Sequence, residues 1–310
     1  MDFKKAQILV IGDVMIDHYV YGSVERISPE APVPVLIKED ENTFLGGAGL
    51  VTTNLRNLGA SVDLVGVIGE DEEAPIVRKY LSDKNISDQN LIVEKGRPTT
   101  IKKRFVATLP YFQQLLRLDN ERRENVKPET EQKIIENVKQ KMDGSDLVVI
   151  SDYNKGILTA KVIESVIALA KEKGKKILVD TKRSLYDYKG VYLIAPNTRE
   201  LCLAFGLKNT NDDALILPEA VKLSKALGSI VVVKRGGKGA TIADDDGTRT
   251  YPSKAEKIVN VSGAGDIFLA TLAMALASGQ NIDDAVKTAN LGCGKAIAKR
   301  HPLVTLEDLK

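Results

Sequence analysis

Short runs of Val, Ile and Leu recur along the chain, and segments with helical spacing lie between several of them. The first run, Gln7–Gly12, ends in a glycine that is followed by an aspartate. Buried strands that alternate with helices are typical of βαβ units, in which helices cover both faces of a mainly parallel sheet. The further predicted strands are 61–68, 147–151, 176–180, 191–195 and 229–233, and the clearest helical segments are 129–142, 161–173 and 218–226. We therefore expect an α/β fold that binds ligands at the carboxyl ends of its strands.

Two stretches interrupt this alternation. Residues 18–44 contain three prolines and alternating apolar residues, and residues 98–119 also alternate. A period of two predicts antiparallel strands that are inserted into the α/β body. The pattern allows two interpretations, a pair of surface hairpins or a small β lid over an active site. Since the 310 residues contain no repeat, low-complexity tract or linker, we expect one domain over residues 1–310 that carries these two segments.

The composition excludes several classes of protein. The 44 Lys and Arg residues nearly balance 42 Asp and Glu residues, so a net charge of +2 provides no basic field for nucleic acid or anionic lipid. Two distant cysteines, Cys202 and Cys293, form no metal-binding motif and indicate a reducing compartment. The amino terminus lacks a signal-peptide pattern, and the longest apolar-rich stretch, residues 267–277, is too short to span a bilayer. We expect a cytoplasmic enzyme or binding protein.

The segment 261–268 is the strongest candidate for a chemical role. Gly263, Ala264 and Gly265 precede Asp266, and an apolar helical stretch follows. Small residues at the start of a helix let a ligand approach free backbone N–H groups and the positive end of the helix dipole. Asp266 has two interpretations: an acid that stabilises the first helical turn, or a general base beside an anion hole.

Two further motifs open predicted helices, and each allows a structural and a functional interpretation. Gly46 and Gly47 lie in a glycine cluster that suits either helix packing or a binding loop, although its spacing fits neither a dinucleotide-binding motif nor a Walker P-loop. Asn197 and Glu200 have the spacing of a capping box, and they are equally suited to hold Mg²⁺ and phosphates.

Other polar segments follow predicted strands. The glycine turn in residues 233–240 carries three cations and suits a plain hairpin or a phosphate contact. Asp13 and Asp17 follow the first strand, and residues 151–156 follow another. Each of these is either a solvated turn or a group that binds hydroxyls at the edge of the sheet.

The order of these motifs resembles the ribokinase family of carbohydrate kinases, the PfkB group, over essentially the whole chain. A glycine cluster, an Asn-x-x-Glu pair, a strand–glycine turn and a Gly-Ala-Gly-Asp segment follow one another as they do in that family. The resemblance implies a ribokinase-like three-layer α/β/α fold with a mainly parallel central sheet and a small β-sheet lid. It also implies ATP as the phosphoryl donor, Mg²⁺, a small-molecule sugar phosphate as acceptor, and a homodimer that forms through the lid.

Within the family, four segments resemble the kinases of D-glycero-β-D-manno-heptose 7-phosphate: 12–17, 26–35, 113–119 and 151–156. Those kinases often carry a carboxyl-terminal adenylyltransferase domain, and this chain resembles the kinase domain alone. The resemblance implies phosphorylation of the anomeric hydroxyl to the 1,7-bisphosphate, a step toward ADP-heptose and the inner core of lipopolysaccharide.

The resemblance also implies a role for each candidate residue. Asp266 would take the proton of the anomeric hydroxyl, and the N–H groups of Gly263, Ala264 and Gly265 would neutralise the γ-phosphoryl group. Asn197 and Glu200 would position Mg²⁺. The residues that would hold or border the nucleotide are Asn197, Glu200, Lys234, Arg235, Gly237, Gly239 and Ser262. The residues that would hold the sugar phosphate are Asp13, Asp17, Gly46, Gly47, Lys102, Arg104, Gln114, Arg117, Asp152 and Lys155.

Four positions differ from the pattern of the heptose kinases. Leu50 stands where an asparagine is usual, and its side chain offers no hydrogen bond to a sugar. Residues 108–112 differ from a segment that usually contains Arg-Asn. Asn260 stands where an acid is usual, and Lys234 stands where a threonine is usual. Two alternatives therefore stay open: a kinase of another sugar or sugar phosphate, and a non-catalytic regulator that binds sugar or nucleotide. The intact segment 263–266 argues against the regulator.

Overall fold

The computed structural model describes residues 6–109 and 111–310, and these residues form two β-sheets and eight α-helices. Residue 110, inside the second predicted lid segment, and residues 1–5, where we predicted no signal peptide, lie outside the described part. The strands, in chain order, are β1 (Gln7–Gly12), β2 (Val14–Ile27), β3 (Pro34–Gly47), β4 (Ser61–Ile68), β5 (Leu91–Val93), β6 (Thr100–Leu109), β7 (Gln113–Asn120), β8 (Leu147–Asp152), β9 (Lys176–Thr181), β10 (Leu193–Ile194), β11 (Ile230–Lys234), β12 (Ala240–Asp244) and β13 (Gly247–Tyr251).

Most helices lie between strands, as the alternating pattern predicts. They are α1 (Ala48–Asn57), α2 (Ala74–Asp83), α3 (Pro128–Met142), α4 (Ala160–Glu172), α5 (Thr198–Ala204), α6 (Asp213–Leu227), α7 (Ala264–Ala277) and α8 (Ile282–Ile297). Short 3₁₀ turns occupy Leu185–Tyr188, Gly236–Lys238 and Leu306–Leu309. None of the helices in the described residues is long and apolar enough to cross a membrane.

Nine strands form the larger sheet in the order β13-β12-β11-β10-β9-β8-β1-β4-β5. Every pair from β11 to β5 is parallel, whereas β12 and β13 pair antiparallel at one edge. The carboxyl ends of seven strands therefore lie on one side of the sheet, where ligand sites of such folds form. The predicted mainly parallel sheet is confirmed.

The core has two layers, one on each face of this sheet. In β1, Ile8 and Val10 pack with α1, α2, α7 and α8, while Leu9 and Ile11 pack with the helices from α3 to α6. All four side chains are inaccessible to solvent, and burial of such a side chain stabilises the fold by about 1.5–3 kcal/mol. Helices thus cover both faces, as the sequence predicts.

The four remaining strands form a separate small sheet in the order β3-β2-β6-β7. The pairs β2–β3 and β6–β7 are antiparallel, and the two hairpins join through a parallel pairing of β2 with β6. That parallel contact is not predicted by the alternation within each segment. The small sheet is attached to the carboxyl edge of the large one, because a single residue, Asp13, separates β1 from β2, and β3 leads directly into α1. Its role as a lid of a single domain stays a prediction.

The predicted limits of α6 were too narrow. Pro218, which we expected near the start of a helix, lies inside α6. The helix begins at Asp213 because the side chain of Asp212 accepts a hydrogen bond from the backbone N–H of Ala214. The predicted strand 191–195 is shorter in the structure, since only Leu193 and Ile194 pair with their neighbours.

Candidate active site

Side chains from four strand ends meet the start of α7 at the carboxyl edge of the large sheet. Asp13 follows β1, Tyr153 follows β8, Asp180 lies in β9 and Lys234 ends β11. Asp266 lies in the first turn of α7. Hydrogen bonds and ion pairs join these five residues in two groups, Asp13–Tyr153–Asp266 and Asp180–Lys234.

Asp266 is a buried carboxyl group with one occupied and one unoccupied oxygen. The residue is 2% exposed, and its Oδ2 accepts a hydrogen bond of 2.8 Å from the hydroxyl of Tyr153. Its Oδ1 is buried without a hydrogen-bond partner in the described residues. Burial, and then the charge of Asp180, raises the pKa of Asp266 to about 7, while Tyr153, Lys234 and Lys182 oppose that rise. A carboxyl group with such a pKa is matched to proton abstraction near neutral pH.

Two glycines at the start of α7 lie close to side chains of other elements. Gly263 has φ = 73°, and a Cβ atom there would lie 2.2 Å from Cδ2 of Leu50. A Cβ atom on Gly265 would lie 3.2 Å from Nζ of Lys234 and 3.3 Å from Oδ2 of Asp180. The side-chain position of Gly265 is therefore adjacent to a cation and a carboxylate from the strand ends. The N–H group of Ala264 donates to the carbonyl of Val261.

Two lysines surround Asp180 next to this turn. Lys234 forms an ion pair with its Oδ2, and Nζ of Lys182 lies 3.4 Å from its Oδ1. Burial favours the neutral form of Asp180, but these two cations outweigh burial and hold its pKa below the ordinary value. Burial likewise favours neutral Lys182, and Asp180 and Glu200 outweigh it and raise the pKa of Lys182. Lys182 is therefore charged next to the ion pair of Lys234 with Asp180.

Asn197 and Glu200 form the capping box at the start of α5. The backbone N–H of Glu200 donates to Oδ1 of Asn197 at 2.9 Å, and the N–H of Asn197 donates to Oε2 of Glu200 at 2.8 Å. Oε1 of Glu200 also accepts from Lys182. The structural interpretation of this pair is observed, and its role toward Mg²⁺ and phosphates stays a prediction.

The small sheet places predicted substrate residues beside Tyr153. Arg104 forms an ion pair with Asp17, and a Cβ atom on Gly46 would lie 2.5 Å from Oδ2 of Asp17. Nζ of Lys102 lies 5.3 Å from the centroid of the Tyr153 ring, and burial lowers the pKa of this lysine. Lys102 thus brings this face of the small sheet next to Tyr153, and the ion pair of Arg104 with Asp17 lies on the same face.

Arg117 and Gln114 extend this arrangement along β7. Arg117 is paired directly with Arg104 across β6 and β7, and Lys102 precedes Arg104 by two residues, so the three basic side chains share one face of the small sheet. Arg117 also forms an ion pair with Asp119. Gln114 lines an open cleft between the small sheet and residues 258–262.

Other predicted residues are engaged in contacts that shape the edge of the sheet. Oδ2 of Asp13 accepts hydrogen bonds from the backbone N–H groups of Tyr153 and Lys155, and its Oδ1 is buried without a partner in the described residues. Burial, and then the charge of Asp152, raises the pKa of Asp13 to about 7. Nζ of Lys155 lies 2.6 Å from Glu121. Asp13 therefore holds the turn after β8.

Asp152 and Arg235 are buried and satisfied within the chain. Asp152 accepts hydrogen bonds from Tyr188 and Thr181, and burial raises its pKa. The guanidinium group of Arg235 binds Asn211 and Asp213. These contacts are structural, and direct contacts of either residue with a ligand stay predictions.

Most of the remaining predicted residues lie in turns, whereas Gly47 is the last residue of β3. Gly237 belongs to the 3₁₀ turn after β11. Gly239 has φ = 87°, and a Cβ atom there would lie 2.1 Å from the carbonyl oxygen of Tyr251. Gly47 has φ = 57° and lies against the carbonyl of Asp13. Ser262 lines a small cavity together with Asp17 and Leu50.

Two residues of the site, Asp180 and Lys182, are absent from the sequence-based candidates, and a third, Tyr153, is included only as part of the segment 151–156, without a role of its own. All three follow or end predicted strands, at 147–151 and 176–180. The rule that singled out Asp13 and Asp152, that polar residues after a buried strand lie at the ligand edge, applies equally to them. Their pairing with Asp266, Lys234 and Glu200 is a tertiary relationship that no local pattern contains.

A family model relates this chain to carbohydrate kinases, and similar proteins of known sequence match nearly all of it. The family model of pfkB family carbohydrate kinases matches residues 5–305. The bifunctional protein HldE of Aliarcobacter butzleri is 39% identical over 306 residues, which are 98% of this chain and 63% of that protein. HldE of Caulobacter vibrioides is 39% identical over 300 residues, which are 96% of this chain and 61% of that protein. The chain thus spans about three fifths of the length of these relatives.

Solved structures of low sequence identity have the same fold. Arabidopsis thaliana ribokinase complexed with ribose and ATP has a TM-score of 0.76 at 17% identity, covering 99% of this chain and 98% of that one. Escherichia coli phosphofructokinase-2 in complex with substrates and products has a TM-score of 0.80 at 17% identity, covering 99% and 97%. The predicted ribokinase-like fold is confirmed.

Proposed function

Because this chain belongs to the pfkB family of carbohydrate kinases, we propose that it transfers the γ-phosphoryl group of ATP to the anomeric hydroxyl of D-glycero-β-D-manno-heptose 7-phosphate. The product would be the 1,7-bisphosphate, on the route to ADP-heptose and the inner core of lipopolysaccharide. The choice of acceptor is supported by similarity to HldE proteins over nearly the whole chain. A reaction that consumes ATP fits a cytoplasmic location.

The unpartnered oxygen of Asp266 is the observation that carries the proposal. Oδ1 is buried at the start of α7, next to the glycine turn, and the pKa of Asp266 is about 7. Because no group in the described residues donates to this oxygen, an acceptor hydroxyl is suited to fill the position and give up its proton there. General base catalysis of this kind contributes about 10²–10⁴-fold to the rate.

The cations around the turn suit the phosphate groups of ATP. Phosphoryl transfer requires alignment and neutralisation of charge on the transferring group. Lys234 contacts the position of Gly265, and Lys182 lies between Asp180 and Glu200. We assign these two lysines, together with the N-terminus of α7, to the negative charge of the β- and γ-phosphates.

Asn197 and Glu200 at the start of α5 suit a Mg²⁺ ion that is held mostly by phosphates and water. In the described residues, no three His, Cys, Asp or Glu side chains are grouped to hold a metal ion. Mg²⁺ in nucleotide sites commonly uses one or two carboxylates plus substrate phosphates, and Glu200 with Asn197 provides one carboxylate and one amide. The bound ion would neutralise charge on the nucleotide. Glu200 and Asn197 would hold it, while the capping box keeps both side chains oriented.

The acceptor would lie between the small sheet and Asp266. Asp17 is suited to bind sugar hydroxyls, and Lys102, Arg104 and Arg117 on the same face are suited to the phosphate that the substrate already carries. We propose that the small sheet closes over the acceptor as a lid and excludes water, which limits hydrolysis of ATP.

We also propose that two copies associate through the outer face of the small sheet. Leu116 and Leu118 of the edge strand β7 are 57% and 55% exposed. They point away from the face that carries Arg117, because side chains alternate along a strand. Burial of these leucines against a second copy would remove an exposed apolar edge.

Leu50 supports a second candidate, a kinase of another sugar phosphate. It lines the same cavity as Asp17, and its side chain contains no hydrogen-bonding atom. An acceptor that presents an apolar C–H edge at this position would suit the cavity better than one that presents a hydroxyl.

The test is ADP formation by the purified protein with Mg²⁺-ATP and a panel of acceptors. We expect turnover with D-glycero-β-D-manno-heptose 7-phosphate and none with ribose, fructose 6-phosphate or without sugar. Turnover with a different sugar phosphate alone would replace the first candidate by the second. Absence of turnover with every sugar, in protein that still binds ATP, would contradict both.

A further inference from the structure

Tyr153 is the one side chain in the described residues that donates a hydrogen bond to Asp266. Its hydroxyl lies 2.8 Å from Oδ2 of Asp266. The other charged groups that face this carboxyl are Asp180 in β9, Lys182 after β9 and Lys234 in β11, and they act through their charges. The orientation of the Asp266 carboxyl group is therefore determined by Tyr153 more directly than by any of these residues.

The position of Tyr153 is itself fixed from several sides. Its backbone N–H donates to Oδ2 of Asp13 at 2.7 Å. Two lysines lie near its ring, with Nζ of Lys102 at 5.3 Å and Nζ of Lys182 at 5.6 Å from the centroid. One lysine comes from the small sheet and the other from the end of β9, so the ring is held across the middle of the site.

The direction of the hydrogen bond follows from the protonation of the tyrosine. Burial, and then the charge of Asp266, raises the pKa of Tyr153 well above its ordinary value, so the hydroxyl keeps its proton. A tyrosine hydroxyl carries a single proton, and here it is directed to Oδ2. That oxygen is occupied, whereas Oδ1 has no partner in the described residues.

We propose that Tyr153 is a positioning residue for the reaction, whose hydroxyl orients the carboxyl group of Asp266 so that Oδ1 takes the proton of the acceptor hydroxyl. In this step the acceptor oxygen forms a bond to the γ-phosphorus, and its proton moves to Oδ1. The bond from the γ-phosphorus to the bridging oxygen breaks, and ADP leaves with that electron pair. The inference rests on the proposed kinase function.

The hydrogen bond from Tyr153 restricts a rotation that is free in an aspartate without a fixed donor. The last torsion of an aspartate side chain is broad and nearly two-fold, so without a fixed donor either oxygen can face the acceptor. A base that is misaligned by a fraction of an ångström loses much of its effect, since misplacement by about 1 Å can cost about 10²-fold in rate. Tyr153 removes this freedom through its hydrogen bond to Oδ2.

The variant Tyr153→Phe tests the proposal, because it removes the hydroxyl and keeps the ring near the two lysines. We expect kcat to fall about tenfold to hundredfold, with KM values for acceptor and ATP changed less than kcat. The hydrogen bond from Tyr153 lowers the pKa of Asp266, so its loss raises that pKa. The acid limb of the pH–rate profile should therefore move to higher pH.

Tyr188→Phe is the matched control. Tyr188 is a buried tyrosine whose hydroxyl, like that of the half-buried Tyr153, donates to a buried carboxylate, here that of Asp152. Its loss should reduce the free energy of unfolding to a similar degree, and the acid limb should stay where it is in the unchanged protein. A shift of the limb in Tyr153→Phe alone thus separates positioning of Asp266 from general loss of stability.

A direct measurement does not depend on turnover. The ionisation of Asp266 can be followed by ¹³C NMR of the aspartate carboxyl carbons in ligand-free protein, with Asp266→Asn to assign the signal. Its midpoint should rise in Tyr153→Phe and stay unchanged in Tyr188→Phe.

Two results would overturn the inference. In the first, Tyr153→Phe has the same kcat and the same acid limb of the pH–rate profile as the unchanged protein. In the second, kcat falls, but neither the acid limb nor the NMR midpoint of Asp266 moves. If the unchanged protein phosphorylates no sugar, the proposed function fails by itself. The NMR midpoint then still decides whether Tyr153 controls the Asp266 carboxyl.

Discussion

Lys234 and Asp180 form an ion pair across a strand that separates them in the sheet. Asp180 belongs to β9 and Lys234 to β11, with β10 between them. Ile194, the last residue of β10, is paired with Val179 and Val231, so both charged residues lie beyond the level at which β10 ends. The pair therefore closes over the end of a short strand and contacts the start of α7.

Removal of Lys234 should affect both stability and nucleotide binding. In Lys234→Met the buried Asp180 keeps only Lys182 as a cation, and breaking a buried ion pair costs up to about 3–5 kcal/mol. We expect a lower free energy of unfolding and a higher KM for ATP. Urea unfolding and initial rates measure the two effects.

Lys141→Met is the control for this variant. Lys141 forms an ion pair with Asp63 at 3.0 Å in a more exposed position, where such pairs contribute about 0–1 kcal/mol. Equal losses of stability in the two variants would contradict the special position of Lys234. An unchanged KM for ATP in Lys234→Met would contradict its assignment to the phosphates.

A substitution of Asn197 tests whether this residue only caps α5 or also binds the nucleotide. Asn197→Ala should reduce stability by about 1 kcal/mol through loss of the α5 cap and should also raise the KM for ATP. Asn281 caps α8 through the same kind of side-chain bond, to the N–H of Asp284, so Asn281→Ala should cost similar stability and leave the KM for ATP unchanged. If both variants lose only stability, Asn197 is a cap alone.

The pKa of Asp266 makes stability depend on pH. In the unfolded chain this carboxyl ionises near 3.8, and in the folded protein near pH 7. Between these values the folded protein binds the proton more tightly, so the free energy of unfolding falls as pH rises. A shift of this size corresponds to at most about 4 kcal/mol at about 1.36 kcal/mol per pKa unit.

Asp266→Asn should therefore be more stable than the unchanged protein at pH 8 and should lose part of this pH dependence. Some dependence should remain, because burial also raises the pKa of Asp13 to about 7. Denaturant unfolding between pH 4.5 and pH 8 measures the effect. An Asn variant that is less stable at pH 8, with the same slope, would contradict the raised pKa.

The sequence predicts this fold well because its signals are local. Buried strands such as Gln7–Gly12 are recognisable from composition alone, and alternation with helices then determines the parallel sheet. The parallel pairing of β2 with β6 connects residues more than 80 positions apart, such as Asp17 and Lys102. No periodicity within either segment specifies that contact.

The site likewise contains one part that the sequence predicts and one part that it does not. Asp266 and its glycine turn are identifiable because the motif is contiguous, whereas Tyr153 is 113 positions from the carboxyl that it contacts. Asn197 and Glu200 show a further limit of prediction from sequence, because the same two residues form a capping box and are also suited to bind a ligand. A sequence motif with two compatible roles cannot separate them.

The central claim, that Asp266 is the base of a sugar kinase, is tested most directly by initial rates of ADP formation. The experiment compares Asp266→Asn with Asp284→Asn, which removes an exposed first-turn acid of α8. We expect Asp266→Asn to lose about 10²–10⁴-fold in kcat while it stays folded and binds ATP, and Asp284→Asn to keep its activity. A kcat for Asp266→Asn within a few-fold of the unchanged protein would contradict the account.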